Sequence, residues 1–258
     1  MKPVFHVIIP ARMASTRLPG KMLADLGGVP LVVRTAQQAL KSDAASVTIA
    51  ADDALIMQAA AAHGIPAVLT DVAHATGTDR LAQAARLLQL PYGLANDALI
   101  VNVQGDEPLI APELINAVAV VLAGNVGCAL STAAHAIHTE AEARNPNIVK
   151  VVCNAAGEAL YFSRAPIPYA RVALTDTTVQ SAHASFSALR HIGIYGYRNT
   201  FLQAFAGMTQ APIEIAESLE QLRALWHGHK IAVANWAGEV AAGVDTAEDL
   251  AVVRRYFN

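Results

Sequence analysis

The stretch Val4-Phe5-His6-Val7-Ile8-Ile9-Pro10-Ala11-Arg12-Met13-Ala14-Ser15-Thr16-Arg17-Leu18-Pro19-Gly20-Lys21 decides how the chain is read. Its first six residues are a short apolar run that reads as a buried strand, and the strand empties into a loop with three cations, two hydroxyls and a glycine. Loops at the carboxyl ends of strands are where open α/β sheets receive ligands, so this one is suited to a polyanion, with triphosphate the obvious candidate. Gly20 lets the backbone come close to phosphate oxygens. Lys21 supplies a mobile point charge, and Arg12 and Arg17 supply planar forks that bind phosphate through paired hydrogen bonds. The stretch is not a P-loop, because the positions that motif reserves for its first Gly and for the Ser or Thr after Gly-Lys hold Ser15 and Met22. Taken alone, the loop reads equally well as a basic surface loop after a strand.

Working outward, apolar runs alternate with amphipathic stretches. Val29 to Lys41, with Pro30 in its first turn, reads as a helix, Ser46 to Ala51 as a strand, and Asp52 to His63 as a helix closed by Gly64. Pro66 to Leu69 follows as a short strand, Thr78 to Leu90 as a helix, and Ala98 to Val103 as a strand covered on both faces. This βαβα order predicts an α/β fold with a doubly wound, mainly parallel, Rossmann-like sheet. After a helix from Pro112 to Ala123, strand-like runs appear at Val126 to Ala133, Val149 to Cys153 and Leu160 to Phe162, with a turn at 154–157. Residues 171–187 form a polar excursion. His191 to Tyr197 returns to strand, Ile213 to Trp226 reads as one helix, Lys230 to Asn235 as strand, and Thr246 with Asp249 opens a last helix. With no repeat and no low-complexity linker, residues 1–258 read as a single domain. Residues 1–125 form its first half, and 126–258 pack on it as a smaller second lobe of mixed sheet.

Composition narrows the class. A chain of 258 residues with 54% hydrophobic content can bury a large core. Mean hydropathy is high at +0.36, yet no run approaches an uninterrupted membrane span. Val4 to Ile9 is too short for the apolar region of a signal peptide, so the expected location is cytoplasmic and no membrane partner is expected. Net charge is −3 and the cations are scattered, which argues against a nucleic-acid partner. Cys128 and Cys153 lie in apolar runs and read as small buried thiols. His227 and His229 flank a Gly turn with no acids or thiols near them, and read as surface histidines.

Several residues could carry chemistry. Asp106, in Gln104-Gly105-Asp106-Glu107-Pro108, follows the strand ending at Val103 and is the inward member of its acidic pair. Asp245 precedes the last helix, where it is either a helix cap or a second ligand-facing carboxylate. Two carboxylates from distant segments are what a Mg²⁺ shared with nucleotide phosphate needs. Thr76, Gly77 and Arg80 lie in a block between strand and helix that either holds a base or phosphate edge or caps the helix. In the second half, the guanidinium of Arg164 suits a carboxylate. His191 and Tyr195 share one face of a strand, and Glu214 and Glu217 share one face of a helix; each of the five reads equally as packing or a surface ion pair. No nucleophile elbow is present, so covalent catalysis is not indicated.

The string PARMASTRLPGK at 10–21 resembles the nucleotide-binding signature of sugar nucleotidyltransferases, in particular the cytidylyltransferases that activate 3-deoxy-manno-octulosonate (Kdo). Matching strings follow in order: HATGTDRLA at 74–82, NVQGDEPLI at 102–110, NPNIVKVV at 145–152, ALYFSRAPIP at 159–168, LRHIGIYGYR at 189–198, LEQLRALWHG at 219–228 and GVDTAEDL at 243–250. The resemblance implies a nucleotide-diphospho-sugar transferase-like fold and a reaction of CTP with Kdo that gives CMP-Kdo and pyrophosphate for lipopolysaccharide synthesis. It implies Mg²⁺ on Asp106 and Asp245, and catalytic work for Lys21, Arg12 and Asp106. Nucleotide contacts fall to Ala11, Arg12, Arg17, Lys21, Thr76, Gly77, Arg80 and Gln104, and sugar contacts to Gln104, Arg164, His191, Tyr195, Glu214 and Glu217. The family pattern has Ser at the position of Thr76, an exchange that keeps the hydroxyl and adds a methyl. A homodimer is implied by the resemblance together with the excursion at 171–187. Another acidic sugar, such as an amino-substituted Kdo or a sialic acid, stays open, as does a nucleotide-binding protein without turnover.

Overall fold

The computed structural model describes residues 2–74, 76–92, 94–169, 188–241 and 243–257. In chain order its elements are β1 (Phe5–Ala11), a 3-10 turn at Lys21–Leu23, α1 (Leu31–Ala39), β2 (Ser46–Ala51), α2 (Ala54–Ala62), β3 (Ala67–Leu69), α3 (Gly77–Tyr92), β4 (Leu99–Asn102) and α4 (Pro112–Gly124). There follow β5 (Leu130–Ala136), α5 (Glu140–Arg144), β6 (Lys150–Cys153), β7 (Ala159–Ser163), β8 (Leu189–Arg198), α6 (Asn199–Phe205), α7 (Pro212–Glu217), α8 (Leu222–Trp226), β9 (Ile231–Asn235) and α9 (Ala247–Arg254).

Alternation along β1 divides its side chains between two apolar layers: Phe5, Val7, Ile9 and Ala11 enter one, Ile8 the other. A strand buried on both faces needs helices on both sides. Residues of α1, α2, α4 and α9 fill the first layer, and residues of α3, α6 and α8 fill the second. The strands run β3-β2-β1-β4-β8-β5-β9, with β6 paired to β7 and β8 off that path. β1, β2, β3 and β4 are parallel, β8 is antiparallel to β4 and β5, and β9 returns parallel to β5. The second half therefore extends the first half's sheet, and the β6–β7 hairpin forms its smaller lobe.

Several expected boundaries move for local reasons. The strand expected from Val126 begins at Leu130, because Cys128 N–H turns back to Asn125 O (2.9 Å) to close α4. The helix expected from Asp52 begins at Ala54, since Asp53 is its cap and accepts from Leu55 N–H (2.7 Å). The single helix expected over 213–226 is two, broken at Ser218, whose φ of 52° is left-handed. α5 and α6 were not foreseen. The first is one capped turn, and the second follows β8 without a break, burying Phe201, Leu202 and Phe205. The excursion at 171–187 lies outside the described residues.

Lys150, on β6, is fully buried. Its ammonium donates to the carbonyls of Asn145, Ile148 and Arg164, tying the loop before β6 to the end of β7. Lys150→Met would leave three carbonyls without their donor, and should cost about 3 kcal/mol in urea unfolding at unchanged m-value. A loss below about 1 kcal/mol would show that the ammonium is not what holds this hairpin in place.

Candidate active site

β1 has β2 on one side and β4 on the other: the chain passes from β1 to β2 through α1 in one layer, and from β3 it crosses back past β1 to β4 through α3 in the other. Such a switch point opens a crevice at the carboxyl ends of the strands. A cleft of about 740 Å³ lies there. The loop after β1 lines it with Ala11, Arg12, Arg17 and Lys21, and the start of α3 lines it with Thr76, Gly77 and Arg80. Gln104 and Asp106 come from the loop after β4, and Asp245 from the segment before α9.

At the centre, Lys21 Nζ donates to Asp106 Oδ2 at 2.6 Å and to Asp245 Oδ1 at 3.2 Å, with its side chain 9% exposed. Arg17 reaches the same Asp245 oxygen at 2.8 Å. Main-chain pairing makes this convergence possible, since Val244 N–H donates to Asp106 O (2.8 Å). Gly105 is required at the turn: a Cβ there would lie 3.0 Å from both Pro10 O and Met22 Sδ. Its carbonyl accepts from buried Thr35 Oγ1 (3.0 Å), which fixes the turn to α1.

The two acids after β4 part company. Asp106 faces Lys21, whereas Glu107 lines a small pocket with Leu109, Ile110, Leu114, Ile192 and Glu239. Burial, with the charge of Asp106 added, pushes the Glu107 carboxyl up to about 8, so it is largely uncharged at neutral pH. Asp245 is not the helix cap. Thr246 caps α9, with Thr246 Oγ1 accepting from Asp249 N–H (3.2 Å) and Asp249 accepting from the N–H groups of Thr246 (2.9 Å) and Asp245 (3.0 Å). The Asp245 carboxylate is thereby left to the cleft. Two hard carboxylates that reach one cation, Lys21 Nζ, also fit Mg²⁺, which takes one or two carboxylates and completes its shell with phosphate and water. Among the described residues no larger cluster of His, Cys, Asp or Glu exists to hold a metal.

The sugar candidates fall in two places. Gln104 lines the cleft, as does Glu214, but the Glu214 carboxylate is held by Arg223 (2.9 and 2.6 Å) and by Ala211 N–H (3.0 Å). His191, Tyr195, Arg164 and Glu217 do not line it. His191 and Tyr195 share a face of β8, ring centroids 5.5 Å apart, and His191 Nε2 meets Thr132 Oγ1 at 2.8 Å. Glu217 accepts from Ser163 Oγ and from Arg164 N–H, while the Arg164 guanidinium donates to the carbonyls of Pro146, Glu217 and Ser218. His227 is exposed and bonded to Thr209 O (3.0 Å), and His229 stacks edge-on with Phe201.

Two groups escaped the sequence reading. Glu220 lines the cleft and accepts from Thr78 Oγ1 (2.6 Å), and burial raises its pKa. It stands in the string LEQLRALWHG but was hidden by reading 213–226 as one helix. Asp52, taken as a helix residue, instead bonds Met13 N–H (2.8 Å) and Arg80 (3.2 Å).

A family model for cytidylyltransferases matches residues 6–231. The chain belongs to the cytidylyltransferase family. A 3-deoxy-manno-octulosonate cytidylyltransferase from Verminephrobacter eiseniae (strain EF01-2) is 55% identical to it, over 97% of this chain and 93% of that protein. A solved structure of CMP:2-keto-3-deoxy-manno-octonic acid synthetase complexed with CTP superposes with a TM-score of 0.86 at 38% identity, covering 99% of this chain and 98% of that one. A cytidylyltransferase from Leptospira borgpetersenii serovar Hardjo-bovis (strain JB197) shares the fold alone, with a TM-score of 0.60 at 17% identity over 100% and 88% of the two chains. The nucleotidyltransferase-like fold expected of this cytidylyltransferase is thus the fold observed.

Burial drives the pKa of the His191 imidazole down from 6.5 to about 3. In that window the unfolded chain takes up a proton that the folded chain refuses, so stability rises with pH across it and is lost on acidification below 6.5. His191→Gln should flatten this part of the pH–stability curve, measured by urea unfolding of both proteins. Parallel curves would show that the imidazole is not kept uncharged by the fold.

Proposed function

We propose that this chain transfers CMP from CTP to Kdo, releasing pyrophosphate and supplying activated sugar for lipopolysaccharide synthesis. The observation that carries this is the joining of the cation loop to Asp106 and Asp245 in one cleft, on a chain similar throughout to a protein solved with CTP. The anomeric 2-hydroxyl oxygen of the sugar forms a bond to the α-phosphorus and releases its proton to solvent. The bond from that phosphorus to the bridging oxygen breaks, and the electron pair leaves with pyrophosphate. Such transfers are governed by positioning and charge, so the protein's part is to hold the groups in line. Arg12 and Arg17 grip phosphate oxygens, and Lys21 faces the charge that grows as the bond breaks. Thr76, Gly77 and Arg80 hold the nucleotide from the α3 side, with Gln104 between base and sugar.

Asp106 and Asp245 would hold Mg²⁺, which when bound screens the triphosphate and polarises the reacting phosphoryl group. The group Arg164, His191, Tyr195 and Glu217 is the sugar end of this proposal. Taking a sugar carboxylate would require Arg164 to exchange some of its carbonyl partners. A homodimer, as the sequence resemblance implies, and a cytoplasmic location, as expected from the short apolar run Val4 to Ile9, complete the reading. Among the described residues no helix is long and apolar enough to cross a membrane.

Pyrophosphate release with CTP and a panel of acidic sugars tests the reading. Kdo should be turned over fastest, and release with none of them would refute it. Lys21→Ala should lower turnover more than CTP binding, because an ammonium aimed at developing charge acts in the transition state; by analogy with loss of one oxyanion donor the cost is roughly 2.7 to 4 kcal/mol. Full activity in this variant removes the loop from the mechanism. Asp245→Asn should demand much more Mg²⁺ at an unchanged melting temperature, since Thr246 keeps the cap. A normal Mg²⁺ requirement would take Asp245 out of the metal site.

A further inference from the structure

Asp52 is absent from the cleft wall, yet it touches two groups that shape it. It is the first residue past β2, and its own N–H donates to Ala11 O at the end of β1 (3.3 Å). One carboxylate oxygen, Oδ1, accepts Met13 N–H inside the cation loop at 2.8 Å. The other, Oδ2, accepts from the Arg80 guanidinium at 3.2 Å, and the two side chains are only 7% and 4% exposed. The remaining Arg80 bonds go to Thr70 Oγ1 (2.6 Å) and Asp71 O (3.2 Å), beyond the end of β3. The Asp52 carboxylate therefore joins the loop after β1 to Arg80 near the start of α3, and Arg80 in turn holds the segment after β3.

We infer that Asp52 is a positioning residue for the nucleotide triphosphate, dividing its two oxygens between the backbone of the cation loop and the Arg80 guanidinium. The inference rests on the nucleotide reading of the cleft. Arg80 is a cation taken out of water beside another cation: burial first, and Arg12 as well, work against its charge, while Asp52, in direct contact, and to a smaller extent the exposed Asp71 work for it. Without a counter-charge the guanidinium would turn from the cleft or draw the loop away, and Arg12 would lose its fixed place with Met13. A two-oxygen acceptor is needed because its partners lie on different elements and both are donors. An amide can satisfy one of them and presents its own N–H groups to the other.

Asp52→Asn is the test, read by calorimetric titration of folded protein with CTP alongside steady-state kinetics. CTP binding should weaken about tenfold, with KM for CTP rising by a similar factor and kcat at saturating CTP changing less. In an Arg80→Met background, where the Asp52 carboxylate has already lost its ion partner, the same substitution should change CTP binding less than about twofold, because the effect passes through Arg80. If Asp52→Asn alone does not fold, Asp52→Glu, which keeps both oxygens but displaces them by one methylene, is titrated in its place with the same tenfold loss expected, and unchanged CTP affinity in it overturns the inference. A purely structural role predicts a lower melting temperature with unchanged CTP affinity of the folded protein, and that result overturns the inference. So does a tenfold loss that persists in the Arg80→Met background. Wild-type protein that bound no CTP would overturn the nucleotide reading and this inference together, whereas equal binding by wild type and Asp52→Asn overturns the inference alone.

Discussion

One ammonium group holds the site together. Lys21 Nζ lies between Asp106 and Asp245, residues separated from it by 85 and 224 positions in the chain. No local preference brings such groups together; the sheet must form first, with β4 beside β1 and the segment before α9 laid against the turn after β4. A partly buried triad of this kind adds little net stability, because desolvation offsets much of the attraction. Its use is placement. It gathers Lys21 and both acidic groups at one point, where the charge of a triphosphate can be met by cations and a divalent ion by carboxylates.

The surrounding fold keeps that point fixed. Gly105 lets the turn after β4 press against Pro10, Thr35 anchors the same turn to α1, and Thr246 with Asp249 relieves Asp245 of capping. Burial sorts the adjacent acids, since Glu107 goes into an apolar setting that favours its protonated form while Asp106 stays with Lys21. On the far wall, Arg223 and Glu214 pair at 2.6 Å, both 6% exposed, across the break at Ser218. That pair keeps α7 and α8 in register and sets Glu220 on the cleft.

Much of this was legible in the sequence because the first half follows local rules. Short apolar runs alternating with amphipathic stretches gave β1 to β4 and their helices, and the order alone placed a cleft at the carboxyl ends of strands. The cation loop and the Gln104–Asp106 turn were found because both lie directly after such runs. The helix break at Ser218 was not legible, since a left-handed serine carries no local signal. Nor was the engagement of Glu214 by Arg223, nine positions away, or of Arg164 by three carbonyls; these depend on chain reversals that periodicity does not encode. The role of Asp52 was not legible because the sequence pattern carries the helix back to it, whereas the cap is the neighbouring Asp53, which leaves Asp52 outside the helix.

The most direct measurement is the electron density of the protein crystallised with CTP and Mg²⁺. The account requires the triphosphate in the crevice between β1 and β4, with Lys21, Arg12 and Arg17 on phosphate oxygens and the base beside Thr76 and Gly77. A nucleotide bound elsewhere, or one in the crevice with Lys21 turned away from every phosphate oxygen, would contradict it.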